Sequence, residues 1–163
     1  MQNLQDEIGN ELAHEVTMCD YFVRGLDHLG QKTINQYSII KELGAGAFGT
    51  VYMVHVNETH EDLAMKVYSK AILASKRDTM VKDEVTGKLK PKNYLEDIKR
   101  EIEIMKRLSN SNMVRLQEVI DSPQEDKLIL MMDFCEQGEI LSWDENISQF
   151  SPYVEGLANF EEA

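Results

Sequence analysis

Three glycines, Gly44, Gly46 and Gly49, stand in the spacing G-x-G-x-x-G between two short apolar runs, and no other feature limits the fold of this chain as much. Residues without side chains let a backbone come close to a polyanion such as a triphosphate. Residues 36–43 precede the glycines. Residues 50–56 follow them, with Val51, Met53 and His55 alternating against Tyr52, Val54 and Val56. Short apolar, β-branched runs separated by polar turns predict strands, so the glycines join one strand to the next. A polar turn over 57–62 leads to a third predicted strand, 63–68, which carries a lone central cation, Lys66, within Ala64-Met65-Lys66.

The pattern then changes period. Residues 71–92 form a polar insert with Lys76, Arg77, Lys82, Lys88, Lys90 and Lys92, expected as a solvated loop. Leu95, Ile98, Ile102 and Met105 recur at helical spacing, which predicts a helix over 93–108 with one apolar stripe. Residues 113–120 and 127–134 read as two more strands around a turn at 121–126. The order β-β-β-α-β-β predicts an α+β fold, a five-stranded antiparallel sheet with one major helix. Leu4, Ile8, Leu12, Val16, Cys19, Val23 and Leu26 suggest a helical face in residues 1–34, interrupted by Gly9, Gly25 and Gly30. That extension is expected to be partly helical or disordered. After Gly138 the chain turns acidic and aperiodic, so 139–163 reads as a poorly ordered tail beyond a domain at 35–138.

Composition narrows the class. Of 163 residues, 42% are hydrophobic and 28% charged, the balance of a soluble globular protein. The formal net charge of −12 argues against nucleic acid or an anionic membrane as the main partner. No apolar run reaches membrane-spanning length. The acidic start, Met1 to Glu7, is not a signal peptide, and Gln2 excludes myristoylation. Two cysteines, Cys19 and Cys135, fit a reduced, cytoplasmic setting. The four histidines show no ligand spacing, and no metal site is expected.

Dinucleotide-binding domains use the same glycine letters, but there the loop runs from a strand into a helix. Here it joins two strands and Val51 follows two residues later, as in protein kinases. Residues 35–138 resemble the N-lobe of a eukaryotic serine/threonine protein kinase. Within that superfamily the chain is most similar to the calcium/calmodulin-dependent protein kinase kinases. The similarity rests on Asn35-Gln36-Tyr37, on Ala64-Met65-Lys66-Val67 with Ser69-Lys70, on a long insert before the helix, on the run from Glu101 to Leu108, and on residues 114–128. The insert is lysine-rich where that family's is rich in proline, glycine and arginine.

The resemblance implies an ATP site and a place in signal transduction. Leu43, Gly44, Ala45, Gly46, Ala47, Phe48, Gly49, Thr50 and Val51 would cover the nucleotide, with Phe48 shielding the phosphates. Val51 and Ala64 would lie on the adenine. Lys66 would pair with the α- and β-phosphates, anchored by a helix glutamate. Glu101 is expected in that role: it lies three residues after Ile98 and four before Met105, whereas Glu103 is rotated from it by about 200°. Met132 would guard the back of the pocket, and Asp133 and Cys135 would belong to the hinge that meets adenine. Asp133-Phe134-Cys135 resembles the metal-binding D-F-G, but no H-R-D precedes it.

The implied activity is phosphoryl transfer from ATP to serine or threonine of a protein, including the activation loop of another kinase. Magnesium would serve the full kinase, but no catalytic loop or D-F-G follows Gly138, so the C-lobe is expected to be missing and the chain inactive alone. Met105, Leu116 and their neighbours would then leave an apolar underside exposed. Implied partners are ATP and a protein substrate or partner kinase, with calmodulin only through a segment beyond the missing lobe. The alternative is a non-catalytic lobe that binds nucleotide or a partner kinase and regulates by contact.

Overall fold

In the computed structural model the glycines sit at the tip of a long hairpin. The structure describes residues 15–83, 85–108, 110–138, 141–144 and 149–152. In chain order the elements begin with β1 (Thr17–Cys19), β2 (Arg24–Leu26), β3 (Lys32–Ile34), β4 (Tyr37–Gly46), β5 (Gly49–Val56) and β6 (Asp62–Ser69). The insert follows as α1 (Lys70–Ser75), β7 (Met80–Lys82) and β8 (Leu89–Pro91). Then come α2 (Tyr94–Met105), β9 (Leu116–Ile120), β10 (Lys127–Asp133), β11 (Leu141–Asp144) and β12 (Gln149–Pro152).

The five strands expected from the sequence, β4, β5, β6, β9 and β10, are present in an α+β fold. They form the middle of an eight-stranded sheet ordered β1-β9-β10-β6-β5-β4-β3-β2, in which only the β1–β9 pair is parallel. The first strand does not stop before the glycines: β4 runs on to Gly46, with register shifts at Ile39/Lys41 and Glu42/Gly44.

The three added strands correct the helical reading of 15–34; residues 1–14, with Leu4, Ile8 and Leu12, lie outside the described residues. Val16 packs on one face of the sheet and Cys19 on the other, while Val23 and Leu26 are exposed, so these residues share no face. Pairing to open sheet edges overrides a helical spacing broken by Gly25 and Gly30. Asp27 fixes the β2–β3 turn, its Oδ1 accepting from the Leu29 and Gln31 N–H groups at 2.8 and 2.9 Å.

Cys19 and Arg24 are five residues apart, a reach of about 18 Å at most. Their strands sit at opposite ends of the sheet, which if flat would separate them by about 34 Å. The sheet therefore curls on itself. Arg24 closes the curl with a two-pronged pair to Glu125, at 2.8 and 3.4 Å, in the turn before β10.

Alternation along the strands divides the core in two. Cys19, Tyr37, Val54, Met65, Ile120, Ile129 and Met131 fill the concave face. Tyr68, Leu116, Val119, Leu128 and Leu130 line the other face, where α1 contributes Leu73 and α2 contributes Ile102. Leu116 is only 1% exposed, so it is not part of an open underside: its partners are in this sheet and in α2. Among the described residues, one charged side chain lies buried within the concave face. The buried Glu118 accepts from the Tyr37 hydroxyl at 2.5 Å and from Gln36 Nε2 at 3.4 Å.

The insert is not merely a solvated loop. Ser69 caps α1 by accepting from the Ile72 N–H, Leu73 is fully buried, and Lys70 Nζ reaches Asp121 and the Ser122 carbonyl at 2.9 and 2.8 Å. Part of the acidic tail, Leu141–Asp144 and Gln149–Pro152, pairs as the β11–β12 hairpin.

Candidate functional site

The register builds one surface from residues far apart in sequence. Val51 pairs with Lys66, Met53 with Ala64, Lys66 with Leu130, and Ala64 with Met132. Residues directly opposite in a ladder share a face. Val51, Ala64, Lys66, Met132 and Tyr68 therefore stand on the helix side of the sheet, and all but Tyr68 are half-buried. The opposite, concave face takes Met65 and Val67 from the same strand. Strand alternation alone brings these four residues to one face.

The glycine turn overhangs one end of this surface. Ala47 and Phe48 form a two-residue connection between the paired Gly46 and Gly49. Leu43, Gly44, Ala45, Gly46 and Ala47 are exposed; Phe48, Gly49, Thr50 and Val51 are half-buried. The three glycines answer to different demands. A Cβ at Gly49 would overlap the Val67 carbonyl, so that glycine serves the close contact of β5 with β6. A Cβ at Gly44 would meet nothing within 4 Å, and one at Gly46 only the Gly49 carbonyl at 4.0 Å. Neither Gly44 nor Gly46 has a positive φ. Nothing in the fold itself requires glycine at those two positions.

The expected Lys66–Glu101 pair is not formed. The Lys66 ammonium lies 5.1 Å from the centroid of the Tyr68 ring, and Glu101 is exposed. The reason is the helical wheel. α2 is capped by Asn93, whose Oδ1 accepts from the Glu96 N–H at 3.3 Å, and it buries Ile102 with Leu95, Ile98 and Met105 packed alongside. Glu101 is about 100° away from Ile102, on the solvent side of that stripe. Glu103 is also exposed and is tied to Lys106 at 2.8 Å.

At the other end of the surface, Asp133 closes β10. Its carboxylate takes Gln117 Nε2 at 2.5 Å, Arg115 Nε at 2.9 Å and the Arg115 N–H at 3.0 Å. Burial opposes its charge, but the Arg115 guanidinium, the Gln117 amide and the Arg115 N–H outweigh it and hold the carboxyl below its ordinary range. These partners occupy the Asp133 side chain, and its backbone N–H donates to the Arg115 carbonyl at 3.1 Å. Cys135 is exposed, and its N–H has no partner among the described residues. Sequence reasoning missed Arg115 and Gln117 because their signal is a cross-strand match to Asp133, which no spacing displays.

Comparison with known proteins identifies the family. Residues 37–156 match the protein kinase domain family. The chain is 37% identical over 116 residues to a probable serine/threonine-protein kinase of Dictyostelium discoideum, covering 71% of this chain and 15% of that protein. It is 37% identical over 111 residues to the serine/threonine-protein kinase ssp1 of Schizosaccharomyces pombe, covering 68% and 16%. It is 32% identical over 115 residues to a calcium/calmodulin-dependent protein kinase kinase of Caenorhabditis elegans, covering 66% and 21%. The chain thus spans between 15% and 21% of the length of these three relatives.

Proposed function

The chain belongs to the protein kinase family, and from that premise we propose that it carries the ATP-binding half of a serine/threonine protein kinase. The observation that carries the reading is the pair of glycines, Gly44 and Gly46, that the fold does not need. Glycine costs backbone entropy in a strand, so its presence at two such positions points to something that must approach from outside. A polyphosphate fits. Lys66, on the same surface, supplies the cation, and Val51, Ala64 and Met132 supply an apolar bed for a base. The Cys135 N–H, without an acceptor among the described residues, supports a hinge role for Cys135, with Asp133 assigned beside it by the family resemblance. Glu101 reaches Lys66 only if α2 moves.

Transfer of a phosphoryl group also needs a base and magnesium-binding side chains. The 163 residues contain no H-R-D and no D-F-G. Binding is therefore proposed for this chain, and transfer to protein serine or threonine is proposed in combination with a domain that supplies those groups. The protein substrate is proposed by family analogy to be another kinase.

The test is an ATP titration by calorimetry on the full chain and on Lys66→Met. Losing a charge-assisted contact to phosphate should weaken affinity about tenfold or more. The melting temperature should nearly hold, because among the described residues Lys66 forms no ion pair and its ring contact with Tyr68 is a long one at 5.1 Å. Equal affinity in both proteins would remove Lys66 from the site. No binding by the unsubstituted chain would reject the ATP reading and leave the contact-regulator alternative.

A further inference from the structure

Phe48 is at the tip of a hairpin whose preceding residues are exposed, yet it is half-buried. Its ring lies 5.0 Å from that of Tyr94, tilted by 37°. Lys76 Nζ sits 4.3 Å from the Phe48 centroid and 5.6 Å from that of Tyr94, so one cation serves both rings. Lys92 Nζ is 5.1 Å from the Tyr94 ring. The Tyr94 hydroxyl donates to Asp78 Oδ1 at 2.6 Å and lies 2.8 Å from Thr79 Oγ1, while Lys76 pairs with Asp78 at 3.2 Å. The Tyr94 hydroxyl, ahead of Lys76, holds the Asp78 carboxyl below its ordinary range.

We infer that Tyr94 is a positioning residue for the glycine turn: through Phe48 it fastens the tip of the turn to α2 and to the insert. Three features carry this. Tyr94 is the first residue of α2, so its ring travels with the helix. Its hydroxyl is held by the insert, which sets the ring's orientation independently of Phe48. Tyr94 packs with Leu95 and Ile98 against the same core as Phe48, so the contact is part of the packed lobe rather than a surface accident. A turn held in this way is preorganised and loses less freedom when it closes on a ligand. It also links two events. A shift of α2 that brings Glu101 toward Lys66 moves Tyr94, and with it Phe48. By reciprocity, a ligand that fixes the turn biases the helix.

The consequence for nucleotide retention rests on the ATP reading above; the fastening itself does not. Two measurements on the full chain separate them. The first is hydrogen exchange at the amides of residues 45–50 without nucleotide. The second is the dissociation rate of a fluorescent ATP analogue. Removing an aromatic pair with its shared cation in Tyr94→Ala should speed turn-amide exchange and analogue release by about three- to tenfold each. Protection in β6 and β10 should be unchanged. Tyr94→Phe keeps the ring but loses the hydroxyl's hold on Asp78, and its release rate should fall between those of the unsubstituted protein and Tyr94→Ala. If Tyr94→Ala loses protection throughout, Phe48→Ala provides the same test from the turn side. Turn exchange unchanged in a folded Tyr94→Ala protein would overturn the fastening. Faster turn exchange with release unchanged would overturn the coupling to nucleotide. An unsubstituted chain that does not bind the analogue would defeat the ATP reading, and the exchange result would still decide the fastening.

Discussion

The two faces of the sheet are finished differently. The concave face is completed by its own chain: β1 covers the edge of β9, β2 and β3 extend the other end, and Arg24 ties the ends together. Its buried carboxylate among the described residues, Glu118, is hydrogen-bonded by Tyr37 and Gln36. The helix face has an equally dry core beneath α1 and α2. Among the described residues its margin, however, keeps groups with few partners: Lys66 with the Tyr68 ring but no ion pair, glycines at 44 and 46 without packing demands, and the Cys135 N–H without an acceptor. A fold that satisfies polar groups on one face and leaves them open on the other marks where a ligand is expected.

Substitutions can break that contrast, beginning with the concave face. Ile129 is fully buried there, and Ile129→Ala should cost about 2–5 kcal/mol in urea unfolding. Next is Tyr37→Phe, which deprives the buried Glu118 of its shortest hydrogen bond and should cost about 1–3 kcal/mol. Burial, then the hydrogen bond and charge of Glu118, push the Tyr37 phenol well above its ordinary value of 10.0. The native state resists ionisation of this phenol and the unfolded state does not. Its contribution is therefore present below pH 10 and fades as the pH rises above that value. Tyr37→Phe should make the alkaline loss of stability shallower, as unfolding between neutral and strongly alkaline pH would register. Arg24→Ala removes a partly exposed pair and should cost about 1 kcal/mol or less. At the bottom of the scale, Lys66→Met should change stability by no more than about 0.5 kcal/mol. A large loss there would mean that the margin of the helix face is structural and the contrast is false.

The five central strands and α2 were legible because their periods are clear: alternation in residues 50–56 and an apolar stripe through Leu95, Ile98, Ile102 and Met105. The same alternation, readable in the sequence, places Val51, Ala64, Lys66 and Met132 on one face. The strands at 17–34 were not, since three-residue strands have no period of their own and exist by pairing to an edge. The choice of Glu101 rested on spacing to Ile98 and Met105. The wheel instead centres on Ile102, and a difference of one residue turns a carboxylate from lobe to solvent. Phe48 was read as a shield over phosphates; its contact with Tyr94 joins residues 46 positions apart in the chain, and no local pattern displays it.

The central claim is that the open margin of the helix face serves a nucleotide, and Gly46 tests it most directly. ATP affinity and melting temperature should be measured side by side for the unsubstituted chain and for Gly46→Ala. The account expects the melting temperature to hold or rise slightly, because the added methyl meets only the Gly49 carbonyl at an unstrained 4.0 Å and alanine lowers the entropy of the unfolded chain. It expects ATP affinity to fall about fivefold or more, corresponding to about 1 kcal/mol of lost close approach. A Gly46→Ala protein that binds ATP as well as the original, or that melts well below it, would contradict the account.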